Sequence, residues 1–96
     1  MATLARDVIN NPDKYDGRVV DVVGRVSGFN RNGYDDVELE AGIYCYMYNS
    51  DDINHIKMGQ KVIFRGTFKA YYRTMENCVV LKKIPARKVT VILSES

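Results

Sequence analysis

The fold of this chain is decided by residues 17–26, which read GRVVDVVGRV. One phase of this run carries the apolar residues Val20, Val22 and Val26. The other phase carries the charged side chains of Asp21 and Arg25, and this alternation is typical of a half-buried strand. Gly24 interrupts the run, as glycine does where a strand coils sharply or bulges. We therefore predict a long, bent first strand over residues 18–29.

A second run of the same kind, GQKVIFRGTF, occupies residues 59–68. Its apolar phase carries Val62, Phe64 and Phe68. Charged side chains lie on the other phase, and Gly66 stands in the middle. Two long coiled strands with central glycines are typical of a small closed barrel. This second run predicts the fourth strand, over residues 60–71.

Length and composition predict one globular domain over residues 1–96. The chain has 96 residues, 46% of them apolar and 27% charged, and a net charge of +2. No apolar run approaches the ~20 residues of a membrane span, and no signal peptide opens the chain, so we expect a cytoplasmic protein. Cys45 and Cys78 lie in apolar strands without the neighbours of a zinc site, which predicts two reduced core cysteines.

Two short helices are predicted outside the strands. The first covers Leu4–Asn10, with Thr3 as its cap and Leu4, Val8 and Ile9 on its inner face. It ends before Pro12, and a polar turn follows in which Tyr15 packs on the barrel. The second helix covers residues 50–57, with Ile53 and Ile56 inside. The sole histidine, His55, is expected to be exposed.

The turn at residues 40–42 decides which side chains of the second and third strands face outward. A two-residue loop, Ala41-Gly42, would place Leu39 opposite Tyr44 and bury the tyrosines. A three-residue loop places Leu39 opposite Ile43, and it suits a type I turn with Gly42 in the left-handed conformation. We adopt the longer loop, because it keeps the acidic residues off the core, and a slip of one residue would reverse every side chain.

In this register three tyrosines of the third strand point outward, and each has a neighbour on the second strand. Tyr44 lies beside Glu38, Tyr46 beside Asp36, and Tyr48 beside Tyr34. Residues 34–54 contain six acidic side chains and neither Lys nor Arg. The outer face of these two strands is therefore predicted to combine aromatic rings with carboxylates.

The last part of the chain predicts a fifth strand over residues 76–84. Both phases of this strand are apolar, so the pattern does not assign which face is buried. Residues 88–93 form a further β-prone run within the extension 85–96. That run either pairs with the barrel as an extra strand or builds a homodimer by adding to a neighbour's sheet.

The order helix, three strands, short helix, two strands is that of the OB (oligonucleotide/oligosaccharide-binding) fold, a five-stranded Greek-key barrel in the all-β class. The amino-acid sequence over residues 4–84 resembles the bacterial OB-fold family of the tRNA-anticodon-binding-like type. The matching positions are Leu4, Asn11, Tyr15, Gly17, Arg18, Val20, Val22, Gly24, Val26, Cys45, Lys57, Gly59, Gln60, Val62 and Gly66. Most of these are core or turn positions, so the resemblance implies the fold and leaves the function open.

No catalytic constellation, metal site or cofactor motif is recognisable, and we expect a non-enzymatic binding module without cofactors. OB barrels bind single strands on the second and third strands, between the loops that join strands 1 and 2 and strands 4 and 5. The candidate nucleic-acid contacts are Phe29 and Arg31 at the first loop, Tyr71, Tyr72 and Arg73 at the second, Tyr44 and Tyr46 between them, and Arg25, Arg65 and Lys69 as flanking phosphate contacts.

The leading interpretation is therefore binding of single-stranded nucleic acid with little sequence preference. The alternative is a protein-interaction domain (an adaptor, inhibitor or assembly subunit), which uses the tyrosine and acid face or the C-terminal strand. Carboxylates on that face would repel phosphates, and a net charge of +2 is modest for a nucleic-acid binder. Tyrosine is also favoured in protein interfaces.

Overall fold

The computed structural model describes residues 1–30 and 35–85. Within these ranges the elements are β1 Thr3–Leu4, α1 Ala5–Asn10, α2 Pro12–Tyr15, β2 Val19–Asn30, β3 Asp36–Leu39, β4 Ile43–Met47, a 3₁₀ helix Ser50–His55, β5 Lys61–Lys69 and β6 Thr74–Ile84. No helix in the described ranges is long and apolar enough to cross a membrane.

Five strands, β2 to β6, close into a barrel. Neighbours pair in the order β2-β3-β4-β6-β5, and β5 returns to β2. Four of the five pairings are antiparallel, and the β4–β6 pairing is parallel. Together with the 3₁₀ helix between β4 and β5, this pairing is that of the OB fold, so the predicted all-β class and architecture are confirmed.

The two glycine-containing strands supply much of the barrel core, as predicted. Val22 and Val26 of β2 are buried, and so are Val62, Phe64 and Phe68 of β5. Ile53 of the 3₁₀ helix and Ile56, which directly follows it, are buried against the core, and His55 is exposed.

The two cysteines are free and fully buried, which confirms the prediction of reduced core residues. Burial raises the pKa of the Cys45 thiol, with a further contribution from the neighbouring Cys78 thiol. The neutral thiol is a poor nucleophile, so this side chain behaves as a small apolar core residue.

The N-terminal segment differs from the prediction. Thr3 does not cap a helix but lies in β1, where it pairs with Val22 of β2. The helix therefore begins one residue later, at Ala5, and has no side-chain cap. Ala5 and Val8 face the core, while Leu4 is 39% exposed. The predicted polar turn contains α2, whose Tyr15 packs against the core as expected.

The hairpin between β3 and β4 has the predicted register but a different turn. Leu39 pairs with Ile43 and Val37 pairs with Cys45, as the three-residue loop requires. A type I turn would give Ala41 a negative φ, whereas its φ is 74° and that of Gly42 is 89°. The Gly42 N–H donates to the Leu39 carbonyl at 3.1 Å, so Ala41 takes the position at which a type II turn favours glycine.

An irregularity in β6 breaks the alternation of buried and exposed residues from which its inner face could have been predicted. The consecutive residues Thr74 and Met75 are both buried, and Cys78 is the next buried position. Asn77 between them has a φ of 55°, and the β5–β6 register shifts between Arg65 and Thr67. The extra residue changes the phase of the strand, so simple alternation does not hold along it.

Several sequence predictions fall outside the described residues. They concern Arg31 and Tyr34, which stand between β2 and β3 in the sequence, and the C-terminal run, predicted as an extra strand or a homodimer contact.

Candidate ligand-binding groove

A groove of about 420 Å³ lies on the outer face of the sheet, at one end of β3, β4 and β6. We call it the tyrosine–acid groove; its lining residues are Asn30, Asp36, Tyr44, Tyr46, Tyr72, Thr74 and Glu76. Its volume is in the range of small-molecule and side-chain pockets.

Two rows of paired residues build the floor of the groove. In the first row Asp36 lies opposite both Asn30 of β2 and Tyr46 of β4. In the second row Tyr44 lies opposite Glu38 of β3 and beside Thr74 of β6. Side chains two residues apart lie on the same face of a strand, so Asp36 and Glu38 share one face of β3, and Tyr44 and Tyr46 share the same face of β4. This is the outer face of the sheet.

The loop between β5 and β6 forms the wall. Tyr72 projects from this loop and lines the groove, and its side chain is 68% exposed. The Tyr44 N–H donates to the Arg73 carbonyl at 3.0 Å, and this bond ties the loop to β4. Arg73 adopts a φ of 55°, which turns the chain into β6. The groove therefore lies beside the β5–β6 loop, one of the two loops predicted to bound the OB binding face.

Asp36 is the unusual group of the groove. It lies on the outer face beside Tyr46, as predicted, but it is only 2% exposed, whereas the sequence pattern indicated a surface carboxylate. The backbone N–H of Asn30 donates to the carboxylate. Among the described residues, however, Oδ1 of Asp36 has no hydrogen-bond partner. A buried acceptor without a partner is costly, so this oxygen is poised to accept a hydrogen bond from a ligand.

Burial raises the pKa of Asp36 above its ordinary value, and the negative charge of Glu38 adds to the shift. The hydrogen bond from Asn30 opposes this shift, and Asp35 reinforces it. The charged form of Asp36 thus destabilises the folded protein at neutral pH.

We expect Asp36→Asn to raise the free energy of unfolding at neutral pH by about 1 kcal/mol, because it removes a buried charge. The gain is fully present above the folded pKa of Asp36. The gain in stability becomes smaller as the pH falls from the folded pKa of Asp36 toward its pKa in the unfolded chain, because the wild-type carboxyl then becomes neutral. Urea unfolding at neutral pH and near pH 4 measures both effects, with the exposed Asp13→Asn as the control. A destabilised Asp36→Asn at neutral pH would contradict this account.

The structure brings together three of the predicted contact residues. Tyr44, Tyr46 and Tyr72 line the groove. Arg25 and Arg65 do not: Nη1 of Arg25 donates to the Gly59 carbonyl at 3.2 Å, and Nε of Arg65 donates to Asp21 at 2.7 Å. As ligand contacts these two arginines stay predictions.

The remaining predicted residues lie near the rim. Phe29 precedes Asn30 and is partly exposed, and Lys69 pairs with Thr74 at the end of β5. Tyr71 is 89% exposed and meets the ring of Tyr72 edge to face, with 4.8 Å between ring centroids. Arg73 is exposed beside it.

The described residues that line the groove carry a net negative charge. Asp36 and Glu76 line it, and no Lys or Arg of the described ranges does. Four lining residues, Asn30, Asp36, Thr74 and Glu76, are not among the contacts predicted from the sequence. The predicted pairing of Asp36 with Tyr46 was the signal that could have indicated Asp36. The β4–β6 pairing that brings in Thr74 and Glu76 joins distant parts of the chain and could not be read locally.

Comparisons with known proteins leave the identity of the chain open. No family model matches it, and no curated protein matches it. Among solved structures the chain is similar to the S. pombe Stn1–Ten1 complex, with a TM-score of 0.48 and 18% sequence identity, over 99% of this chain and 86% of that chain. A likeness of this size carries no argument about function. The strand pairing described above is what identifies this chain as an OB-fold barrel.

Proposed function

We propose that this chain is a non-enzymatic OB-fold module that binds a partner protein through the tyrosine–acid groove. The observation that supports the proposal is the composition of the groove, which combines three tyrosines with two carboxylates. Tyrosines supply large contact area at low entropic cost in protein interfaces. The carboxylates favour a ligand without negative charge.

Binding of single-stranded nucleic acid is the second candidate. It is supported by Tyr44, Tyr46 and Tyr72, which line the groove on the sheet face that OB barrels use to bind single strands. Bases stack on such rings with ~1–3 kcal/mol each. Lys69 and Arg73 at the rim could meet phosphates, but a strand that crosses the floor would pass Asp36 and Glu76.

Two narrower expectations belong to the proposal and rest on the sequence alone. One is membership of the tRNA-anticodon-binding-like family, which the motifs over residues 4–84 support. The other is a cytoplasmic location.

Peptide selection combined with oligonucleotide titration tests the proposed function. Short random peptides are selected on the full chain, and their affinities are measured by fluorescence anisotropy. We expect micromolar peptides whose binding to Tyr72→Ala is about 10-fold weaker, because this ring forms the wall of the groove. Tyr48→Ala is the matched control and should leave affinity unchanged, since Tyr48 is exposed but does not line the groove.

Labelled single-stranded DNA and RNA of about 20 nucleotides should give flat titrations at low salt. Micromolar oligonucleotide binding that falls steeply with salt and depends on Tyr72 would overturn the proposal in favour of nucleic acid. Failure to select any peptide that depends on Tyr72 would also overturn it.

A further inference from the structure

We propose that the tyrosine–acid groove holds the guanidinium group of an arginine side chain on the partner protein, with Oδ1 of Asp36 accepting its hydrogen bond. This inference rests on the proposed function and names the chemistry of the partner at that site. It is argued from three properties of the groove: an unsatisfied oxygen, a negative charge and exposed aromatic rings.

The unsatisfied oxygen defines the position of the ligand's donor. The Asn30 N–H occupies one side of the Asp36 carboxylate, and Oδ1 has no partner among the described residues. The residue is 2% exposed, so the surrounding side chains limit its access to water. A hydrogen-bond donor that enters the groove would complete the coordination of this oxygen, and a charged donor makes the stronger bond.

The charges around this oxygen select a cation. Glu76 also lines the groove, and Glu38 lies two residues after Asp36 on the same face of β3. No Lys or Arg among the described residues lines the groove and compensates them. A bound cation would relieve the mutual repulsion of these carboxylates, whereas an anion or a phosphate would increase it.

The aromatic rings favour guanidinium over ammonium. Tyr44 and Tyr46 belong to the floor and Tyr72 to the wall, and cations are attracted to the faces of such rings. A guanidinium is planar, so it can stack on a ring while its N–H groups donate in the plane toward a carboxylate. An ammonium is a compact and strongly hydrated charge, and it keeps more of its water in an open groove.

A pair of isosteric peptides tests the inference. The probes are a neutral glycine–serine peptide with one central arginine and the same peptide with citrulline, which has the shape of arginine without the charge. Each is titrated into the isotope-labelled full chain, and backbone amide shifts are followed by NMR. We expect the arginine peptide to shift the amides of groove residues and to bind at least about 10-fold more tightly than the citrulline peptide.

Asp36→Asn should remove this preference, and the variant is expected to fold, since the substitution relieves a buried charge. Asp13→Asn is the matched control with the same change of charge outside the groove, and it should retain the preference. Equal binding of the arginine and citrulline peptides would overturn the inference, and so would a preference that survives in Asp36→Asn. Equally tight binding of the same peptide with lysine in place of arginine would also overturn it.

The outcomes separate this inference from the proposed function. If the selected peptides depend on Tyr72 but bind equally well with citrulline in place of arginine, the protein-binding function stands and the arginine site is wrong. If oligonucleotides bind through Tyr72 and the peptides do not, the function itself is wrong.

Discussion

Gly66→Ala is expected to lower the free energy of unfolding by about 3 kcal/mol, the upper end of the usual cost of overpacking. A Cβ at this position would lie 2.7 Å from Sγ of Cys78 and 2.9 Å from the carbonyl oxygen of Glu76. The second of these atoms belongs to the backbone and moves only if the β5–β6 pairing moves. Because the register of that pairing shifts at this point, the glycine is what allows β6 to approach β5 so closely.

Urea unfolding followed by circular dichroism measures the effect, and Gly28→Ala provides the control. A Cβ at Gly28 would meet only the side chain of Glu38, at 3.4 Å and beyond, so its effect should stay within about 0.5 kcal/mol. If Gly66→Ala were as stable as the wild type, the space between β5 and β6 would be larger than the structure indicates.

Phe64→Ala is expected to have a still larger effect, a loss of about 3–5 kcal/mol. Phe64 is fully buried in the barrel and sits on β5 between Val22 of β2 and Val80 of β6. Its removal leaves a cavity where these three strands meet. A domain of this size has a total stability of about 5–15 kcal/mol, so at the low end of that range the variant is expected to be partly unfolded.

Because Phe64→Ala removes a large part of the total stability, Phe64→Leu provides the milder variant, with a loss of about 1–2 kcal/mol in the same urea experiment. Tyr71→Ala removes another aromatic ring from an exposed position and should change stability by less than about 0.5 kcal/mol. Equal effects of Phe64→Leu and Tyr71→Ala would contradict the assignment of Phe64 to the core.

The regular parts of the barrel could be predicted because local patterns specify them. The alternation in β2 and β5 follows from the period of a strand, and the β3–β4 register follows from the loop length together with the need to bury Leu39 and Val37. Once this register is known, the tyrosines on the outer face of β4 follow. The location of the candidate site was therefore largely available from the sequence.

The parts that could not be predicted depend on contacts between distant segments. Thr3 has the sequence signal of a helix cap, but pairing with Val22 of β2 outweighs it. The burial of Asp36 depends on neighbours from other strands, and a charged residue in a short alternating run indicates a surface position by itself. The bulge at Asn77 likewise becomes visible only when β6 is paired with β5.

The parallel pairing of β4 with β6 has a consequence for the synthesis of this protein. The ribosome delivers β2, β3 and β4 first, and these three strands can pair as a meander while the chain grows. The barrel cannot close until β6 has emerged, because β6 joins β4 to β5. Until then the inner face of the meander, with Val37 and Cys45, is open to chaperones and to other nascent chains. Nascent chains that stall before Thr74 should therefore be the aggregation-prone species.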